Sequence, residues 1–272
     1  MTFQALSHLR LVSAVENNVW ALFRTMGRLP GSDFVDTDRL CSHYSPFPSP
    51  MFCGAWSTCD CADRVDSRIA DVVSWFRSKG AEYFFWWTGT RGSTSHLKAA
   101  LLDHGFIPDI EAAPLMAAHI DRLAVASRSR SDLVIRIAQS DIELEEWRDA
   151  FCAAFGTPKA AGQAWTDATR AGTAAGRPPW TLHVGYFQNQ PVATSMVFSE
   201  GDVAGVYCIG TVPSARGRGF GAAMTTRPLV HARQKRPAVA VLYSTQAGYS
   251  LYRRLGFADL NSTVSRYLWV SD

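Results

Sequence analysis

Three glycines alternate with two arginines and an aromatic ring in Arg216-Gly217-Arg218-Gly219-Phe220-Gly221-Ala222. Glycine lets a backbone turn tightly and approach a ligand with no Cβ in the way. Where such a loop opens a helix, successive N–H groups point outward and the helix dipole favours an anion. The chemistry these residues could do is to cradle a pyrophosphate with main chain, using Arg216 and Arg218 as counter-charges. The surrounding charge agrees. Between Val203 and Ala258 lie Arg216, Arg218, Arg227, Arg233, Lys235, Arg236, Arg253 and Arg254, with no Asp or Glu. The formal net charge of +3 arises wholly after residue 130: residues 1–130 hold 13 basic and 13 acidic side chains, and 131–272 hold 14 and 11. A basic field around a glycine loop suits a polyanionic ligand.

The elements that would position this loop are readable on both sides. Val203–Thr211 has the pattern of a strand, and a helix is expected from Phe220 to about Arg236. Ala238–Ser244 reads as a strand, Gln246–Leu255 as a helix stopped by Gly256, and Ser262–Val270 as a last strand. Upstream, Leu133–Ala138 alternates as a strand, and Ser140-x-x-Glu143 is a capping box opening a helix. Trp180–Phe187 and Val192–Phe198 flank a hairpin signal, Gln188-Asn-Gln-Pro191. The Gly/Ala/Pro/Thr-rich stretch Gly156–Pro179 is expected to be a long loop bordering a binding site. In the first half, Leu11, Val15, Val19, Leu22, Phe23 and Met26 keep helical spacing. Residues 30–62 read as loop with short strands, and Arg68–Ser78 and Ser95–His104 as helices. Tyr83–Thr88 and Leu115–Ile120 are the expected strands. Leu102–Phe106 and Leu251–Phe257 both end a helix with Gly-Phe, and each is followed ten residues later by an expected strand start, Met116 and Tyr267. That echo suggests two similar halves. The polar stretch Ala126–Asp132 is the expected linker, giving domains at 1–125 and 133–272.

Composition narrows the classes. A chain of 272 residues, 47% hydrophobic, can bury a sizeable core. Mean hydropathy is near zero and no apolar run approaches the ~20 residues of a membrane span. The N-terminus lacks the basic start and apolar core of a signal peptide, so the expected compartment is the cytoplasm, with no membrane partner. Of six cysteines, Cys41, Cys53, Cys59 and Cys61 cluster near His43. Cys59-Asp-Cys61 is nevertheless C-x-C, not the spacing of a structural zinc site, so no metal is expected. The tryptophans at 86 and 87 have no interleaved basic residues, which argues against a nucleic-acid stacking platform.

Three phosphate cradles compete for the loop. A Walker loop needs Lys-Ser or Lys-Thr after the glycines, and neither is present there. Gly217-x-Gly219-x-x-Ala222 formally satisfies a dinucleotide fingerprint, but no carboxylate lies about 20 residues on to hold a ribose. An NAD(P)-dependent oxidoreductase is therefore the remote alternative. The third reading is a resemblance. Arg216-x-x-Gly219-x-Gly221 resembles the Q/R-x-x-G-x-G/A signature of the GNAT N-acetyltransferase superfamily. Thr245-x-x-Gly248-x-x-Leu251-Tyr252-x-x-x-Gly256-Phe257 resembles that superfamily's N-x-x-A-x-x-L-Y-x-x-x-G-F segment. The element order over roughly 133–270 is similar to the GNAT order, and the first half resembles a degenerate GNAT-like repeat without a glycine loop.

The resemblance implies an α/β (α+β) GNAT fold: a mixed, mostly antiparallel sheet flanked by helices, in two tandem domains. It implies acetyl-CoA or another acyl-CoA as co-substrate. The backbone of Ile209, Gly210 and Thr211 would pair with the pantetheine arm. Arg216, Gly217, Arg218, Gly219, Phe220, Gly221 and Ala222 would hold the pyrophosphate, with Thr245 alongside. Tyr252 matches the position of a general acid that protonates the leaving thiolate. Thr245 replaces the usual Asn, Gly248 replaces Ala, and Pro228 falls inside the helix after the loop. The Glu that many relatives carry on the strand before the loop is absent. Glu200, Asp202, His183, Tyr207, Cys208 and a water chain stand as alternatives for the base. The expected activity is direct transfer of an acyl group, expected to be acetyl, to a primary amine of a small molecule. The acceptor would lie between the two halves or under the Gly156–Pro179 stretch. The alternatives are an acyl-CoA-binding protein without transfer activity and an acyl-CoA decarboxylase.

Overall fold

In the computed structural model, residues 8–37, 40–57, 64–90, 95–124, 132–176, 178–232 and 237–271 are described. Seven α-helices are described among them: α1 (His8–Met26), α2 (Val65–Ser78), α3 (Ser95–Asp103), α4 (Asp141–Phe155), α5 (Lys159–Ala174), α6 (Phe220–Ala232) and α7 (Gln246–Leu255). The strands are β1 (Asp33–Asp36), β2 (Leu40–Tyr44), β3 (Cys53–Ser57), β4 (Tyr83–Thr88), β5 (Ile107–His119) and β6 (Val134–Ile137), then β7 (Thr181–Phe187), β8 (Gln190–Glu200), β9 (Val203–Thr211), β10 (Val239–Tyr243) and β11 (Ala258–Val270). The fold is mixed α/β, with strands mostly antiparallel. The expected linker, apart from Asp132, lies outside the described residues, as do Cys59, Cys61, Arg233, Lys235 and Arg236.

Two compact units interleave along the chain. The first comprises residues up to Leu22 together with Leu115–Leu260, and the second Phe23–Pro114 together with the stretch from Asn261 onward. In the first unit β6, β7, β8 and β9 are joined antiparallel, β9 meets β10 in parallel, and β10 pairs antiparallel with Leu115–His119 of β5. The second unit repeats the end of that pattern. There β1, β2 and β3 are antiparallel, β3 meets β4 in parallel, and β4 pairs antiparallel with Ser265–Val270 of β11. Each unit therefore closes on a strand from the other half of the sequence. The Gly-Phe echo marks the two exchanged strands. These start directly after the motif, at Ile107 and Ala258, rather than ten residues on.

Local sequence explains the main elements. In α4 the Ser140 hydroxyl accepts from Glu143 N while the Glu143 carboxylate accepts from Ser140 N, so the expected capping box is formed. The β7–β8 hairpin turns on Gln188 and Asn189, both at positive φ (50° and 60°), the geometry whose twist matches the flanking strands. The expected loop over Gly156–Pro179 is wrong for most of its length, because Lys159–Ala174 forms α5. Its alanines favour helix, and it presents Ala164, Trp165 and Ala168 to the core. Gly162, which reads as a loop signal, permits a close crossing with α4. A Cβ there would fall 2.7 Å from Cys152 Sγ and 3.0 Å from Arg148 Cγ.

One core of the first unit packs β5, β9 and β10 against α6 and α7 through Met116, Ala118, Val206, Leu229, Leu242, Tyr252, Leu255 and Phe257. The second unit buries Phe76, Phe84, Trp86, Leu101, Phe106 and Trp269, with the Phe76 and Phe84 rings stacked at 4.0 Å. Among the described residues no helix is long and apolar enough to cross a membrane.

Ser140→Ala removes one half of the capping box and is expected to lower stability by about 1 kcal/mol. A urea unfolding midpoint unchanged by the substitution would contradict this.

Candidate functional site

The site is built where β9 leaves β10. Their parallel ladder comprises Val239 with Val203, Ala240 with Ala204 and Val241 with Gly205, and ends there. From Val206 to Thr211 one edge of β9 runs on without β10 beside it. A bulge shapes the same stretch. Thr194 pairs with Gly210 and Met196 with Tyr207, so Cys208 and Ile209 together oppose Ser195. Cys208 takes φ 51°, and its carbonyl accepts from Thr194 Oγ1 at 2.9 Å. Such a bulge bends a strand and re-aims the residues beyond it. Here it turns the run from Ile209 through Gly210 to Thr211. Gly210 lies under the end of α4, where a Cβ would fall 2.7 Å from Ala154 Cβ.

Beyond β9 a single 3₁₀ turn, Pro213–Ala215, delivers the chain to the glycine loop. Gly217 and Gly219 both sit at φ 79°, a backbone conformation that side-chain-bearing residues rarely adopt. The first bond onto Gly219 O comes from Ala223 N, so the N–H groups of Phe220, Gly221 and Ala222 precede the helical ladder of α6. Donors and dipole thus point at the space before α6, whose first turn carries no acidic residue.

The two arginines of the loop differ in task. Arg216 turns back on the protein: Nε donates to Thr211 O at 3.2 Å and Nη2 to Ala154 O at 2.9 Å. Ala154 belongs to the last turn of α4, whose carbonyls a cation satisfies. Arg216 therefore fastens the loop to α4 while its charge remains near the glycines. Arg218 is exposed, with its guanidinium 5.1 Å from the centre of the Phe187 ring. Phe187 in turn lies 5.3 Å from Phe220.

From the other side α7 supplies Thr245 and Tyr252. The Thr245 hydroxyl is the N-cap of α7, accepting from Gly248 N at 3.3 Å. Tyr252 is 9% exposed, and burial, with the nearby Tyr243, pushes its phenol up to about 12. Gly248 has a reason that its sequence position does not show. A Cβ at 248 would fall 2.6 Å from Tyr252 Cε2, so the Tyr252 ring lies in the space that an alanine would fill. Leu251 packs within 3.3 Å of where a Gly221 Cβ would stand, which brings the starts of α6 and α7 together.

The candidate bases are scattered. Glu200 and Asp202 sit exposed at the β8–β9 turn, the opposite end of β9 from the glycine loop. His183 is 4% exposed, and burial lowers its pKa to about 4, with His231 of α6 adding to the shift. It is a core histidine. Burial raises both the Tyr207 phenol and the Cys208 thiol well above their usual range. Tyr207 also has a partner 189 positions away, since its hydroxyl donates to Asn18 Oδ1 of α1 at 2.7 Å. No local signal marks Asn18.

A polar groove of about 490 Å³ lies elsewhere in this unit, lined in part by Arg136, Glu143, Glu146 and Tyr186. None of its lining residues belongs to the glycine loop. Its polar groups answer one another: Tyr186 donates to Glu146, and Arg136 lies 5.2 Å from the Tyr186 ring centre.

Known proteins are similar to this chain in part of its sequence and in its fold. Residues 135–259 match the family model described as an acetyltransferase (GNAT) domain. No curated protein sequence matches the chain. Among solved structures, the chain is similar to a GCN5-related N-acetyltransferase from Kribbella flavida, at 17% identity and TM-score 0.69, covering 93% of this chain and 94% of that one. A functionally unknown conserved protein from Staphylococcus epidermidis ATCC 12228 is similar at 13% identity and TM-score 0.67, with coverage of 88% and 93%. A tandem GNAT protein from the clavulanic acid biosynthesis pathway is similar at 11% identity and TM-score 0.57, with coverage of 94% and 96%. At these identities the shared property is the fold, a tandem GNAT arrangement included.

Gly248→Ala favours helix by propensity yet is expected to displace the Tyr252 ring, changing the near-ultraviolet circular dichroism while the far-ultraviolet spectrum holds. An unaltered near-ultraviolet spectrum would refute the contact. Acid is expected to destabilise the fold through its buried histidines. His183, and His43 of the second unit, whose pKa burial lowers to about 3, stay neutral in the fold, whereas the unfolded chain takes up protons near 6.5. Stability is therefore full above that value and falls as pH drops from 6.5 toward 4. His183→Asn should flatten part of that slope in urea midpoints compared at neutral and mildly acidic pH.

Proposed function

Taking residues 135–259 as a GNAT acetyltransferase domain, we propose that the protein is an acyl-CoA-dependent N-acyltransferase acting on the primary amine of a small molecule. One observation carries the reading: a free strand edge, opened where β9 parts from β10, leads into a positive-φ glycine loop at a helix N-terminus. An extended ligand with amide groups at one end and a pyrophosphate at the other is complementary to that combination.

Each residue then has a task. The N–H groups from Gly217 to Ala222 hold the phosphate oxygens, and Arg218 supplies an accessible counter-charge. Arg216 holds the loop against α4 and adds its field. The backbone of Ile209, Gly210 and Thr211 bonds the amide-bearing arm. Thr245 caps α7 and keeps a hydroxyl proton to donate. Bound acyl-CoA supplies an acyl thioester at the end of the arm. Tyr252, with its phenol near 12, remains protonated at neutral pH and hands its proton to the thiolate that leaves, while the proton shed by the acylated nitrogen passes through solvent and restores the phenol. The raised pKa of the Cys208 thiol makes it a poor nucleophile, which favours direct transfer within a ternary complex. The two repeats are proposed to correspond to 1–125 and 133–272, with β5 and β11 as their exchanged strands. The protein is proposed to work in the cytoplasm, without membrane or nucleic acid.

A second reading has its own support. Glu200 and Asp202 lie at the other end of β9 and His183 is buried in the core, so none of these three is placed to act as the base, which favours binding without transfer. Alternatively, the acceptor amine arrives already neutral.

Calorimetry with acetyl-CoA is expected to show micromolar binding, lost in Gly219→Asp. With an amine panel, Tyr252→Phe is expected to keep that binding and to lower kcat by about 10²-fold or more. Absence of CoA binding at high micromolar concentration would overturn the site. Binding without thiol release from any amine would favour the second reading.

A further inference from the structure

The base of the fork between β9 and β10 is closed by a construction that the transfer chemistry does not use. Gly205 is the last residue of the β9–β10 ladder. The space above it is taken by the ring of Tyr207, folded back along its own strand. A Cβ at 205 would fall 2.4 Å from Tyr207 Cε2 and 2.6 Å from its hydroxyl oxygen. The same Cβ would lie 2.1 Å from Asn18 Oδ1, so α1 reaches the same point. The Tyr207 hydroxyl donates to that oxygen at 2.7 Å, and the two residues are 8% and 1% exposed. Tyr243, at the end of β10, brings its ring to 6.0 Å from that of Tyr207.

This plug is held in place by a polar bond. Among the described residues Asn18 Nδ2 is buried with no partner, an unfavourable arrangement that an apolar side chain at 18 would avoid. What the amide does provide is a fixed position for the phenol, since the Tyr207 ring cannot swing aside without breaking its bond to Asn18. The free edge of β9 leads from the glycine loop directly to this wall. From Thr211 back to Val206 it spans about 17 Å at roughly 3.3 Å per residue. Tyr252 packs in one cluster with Val206 of β9 and Leu242 of β10, the residues just beyond the last pair of the ladder, which places the proposed proton donor at the same end.

We propose that Tyr207, pinned by Asn18 above Gly205, is the end wall of the acyl-binding part of this site and restricts the donor to short acyl groups such as acetyl and propionyl. Tyr207 is here a specificity-determining residue, and Asn18 a positioning residue that acts through it. The inference rests on the acyl-CoA reading of the site.

The test is calorimetric binding of CoA, acetyl-CoA and hexanoyl-CoA to the wild type and to Tyr207→Ala, Tyr207→Phe and Asn18→Ala, with thermal unfolding as the check on folding. The wild type is expected to bind hexanoyl-CoA about tenfold or more weakly than acetyl-CoA, the scale set by misfitting methylenes. Tyr207→Ala should erase that difference while binding CoA as the wild type does. Asn18→Ala and Tyr207→Phe, which keep the ring and free it, should shrink it. Equal binding of acetyl- and hexanoyl-CoA by the wild type would overturn the wall even if no variant folds. A preference unchanged in folded Tyr207→Ala would overturn it as well. Failure of CoA itself to bind would instead overturn the acyl-CoA reading, and the wall with it.

Discussion

A strand that leaves its neighbour inside a folded protein must find other partners for its backbone groups, because unpaired N–H and C=O groups are costly away from water. The parting of β9 from β10 after the Gly205–Val241 pair creates that demand, and the rest of the first unit is arranged around it. The bulge at Cys208 re-aims the freed stretch. The glycine loop continues it into the start of α6. The helix α7 lies beyond the opening with Tyr252. In the proposed function, a ligand that supplies both amide groups and anionic oxygens completes what the fold leaves open.

Rigidity around the opening comes from close approach more than from charge. Ala154 and Phe155 of α4 press on Gly210, Leu251 on Gly221 and Tyr252 on Gly248, each at distances where an added side chain would crowd its neighbour. Arg216 belongs with these contacts. Its two bonds to carbonyl oxygens tie the loop to the end of α4, so part of its charge serves geometry and part the field. Arg218, exposed and stacked on Phe187 instead, is the more adaptable cation.

The two interleaved units share part of one strand-pairing pattern. Each has a parallel pair and then an antiparallel strand contributed from the other half. In the second unit β3 leads on to α2, with no glycine between Ser57 and Val65 and with Asp66 in the first helical turn. An acid at a helix N-terminus opposes an anion there. Among the described residues, the glycine loop at a helix start that marks β9 and α6 has no counterpart at α2.

Elements whose signals are local could be read from residue types and spacing. The capping box at Ser140, the helix stop at Gly256, the strand Val203–Thr211 and the glycine loop all depend on neighbours within a few residues. Gly156–Pro179 defeats such a reading because its Gly, Pro and Thr content resembles a loop. What makes it α5 is burial of Trp165 and Ala168 together with the close crossing at Gly162, both tertiary effects. Which strand closes which unit is also settled by packing, because pairing between β4 and β11 or β5 and β10 joins residues far apart in the chain. The same holds for the opening itself. The glycine loop announces an anion cradle. That the adjacent strand edge has no neighbour among the described residues, that Arg216 is committed to α4, and that Asn18 pins Tyr207 at the base of the fork are consequences of long-range contacts. No pattern of spacing encodes them.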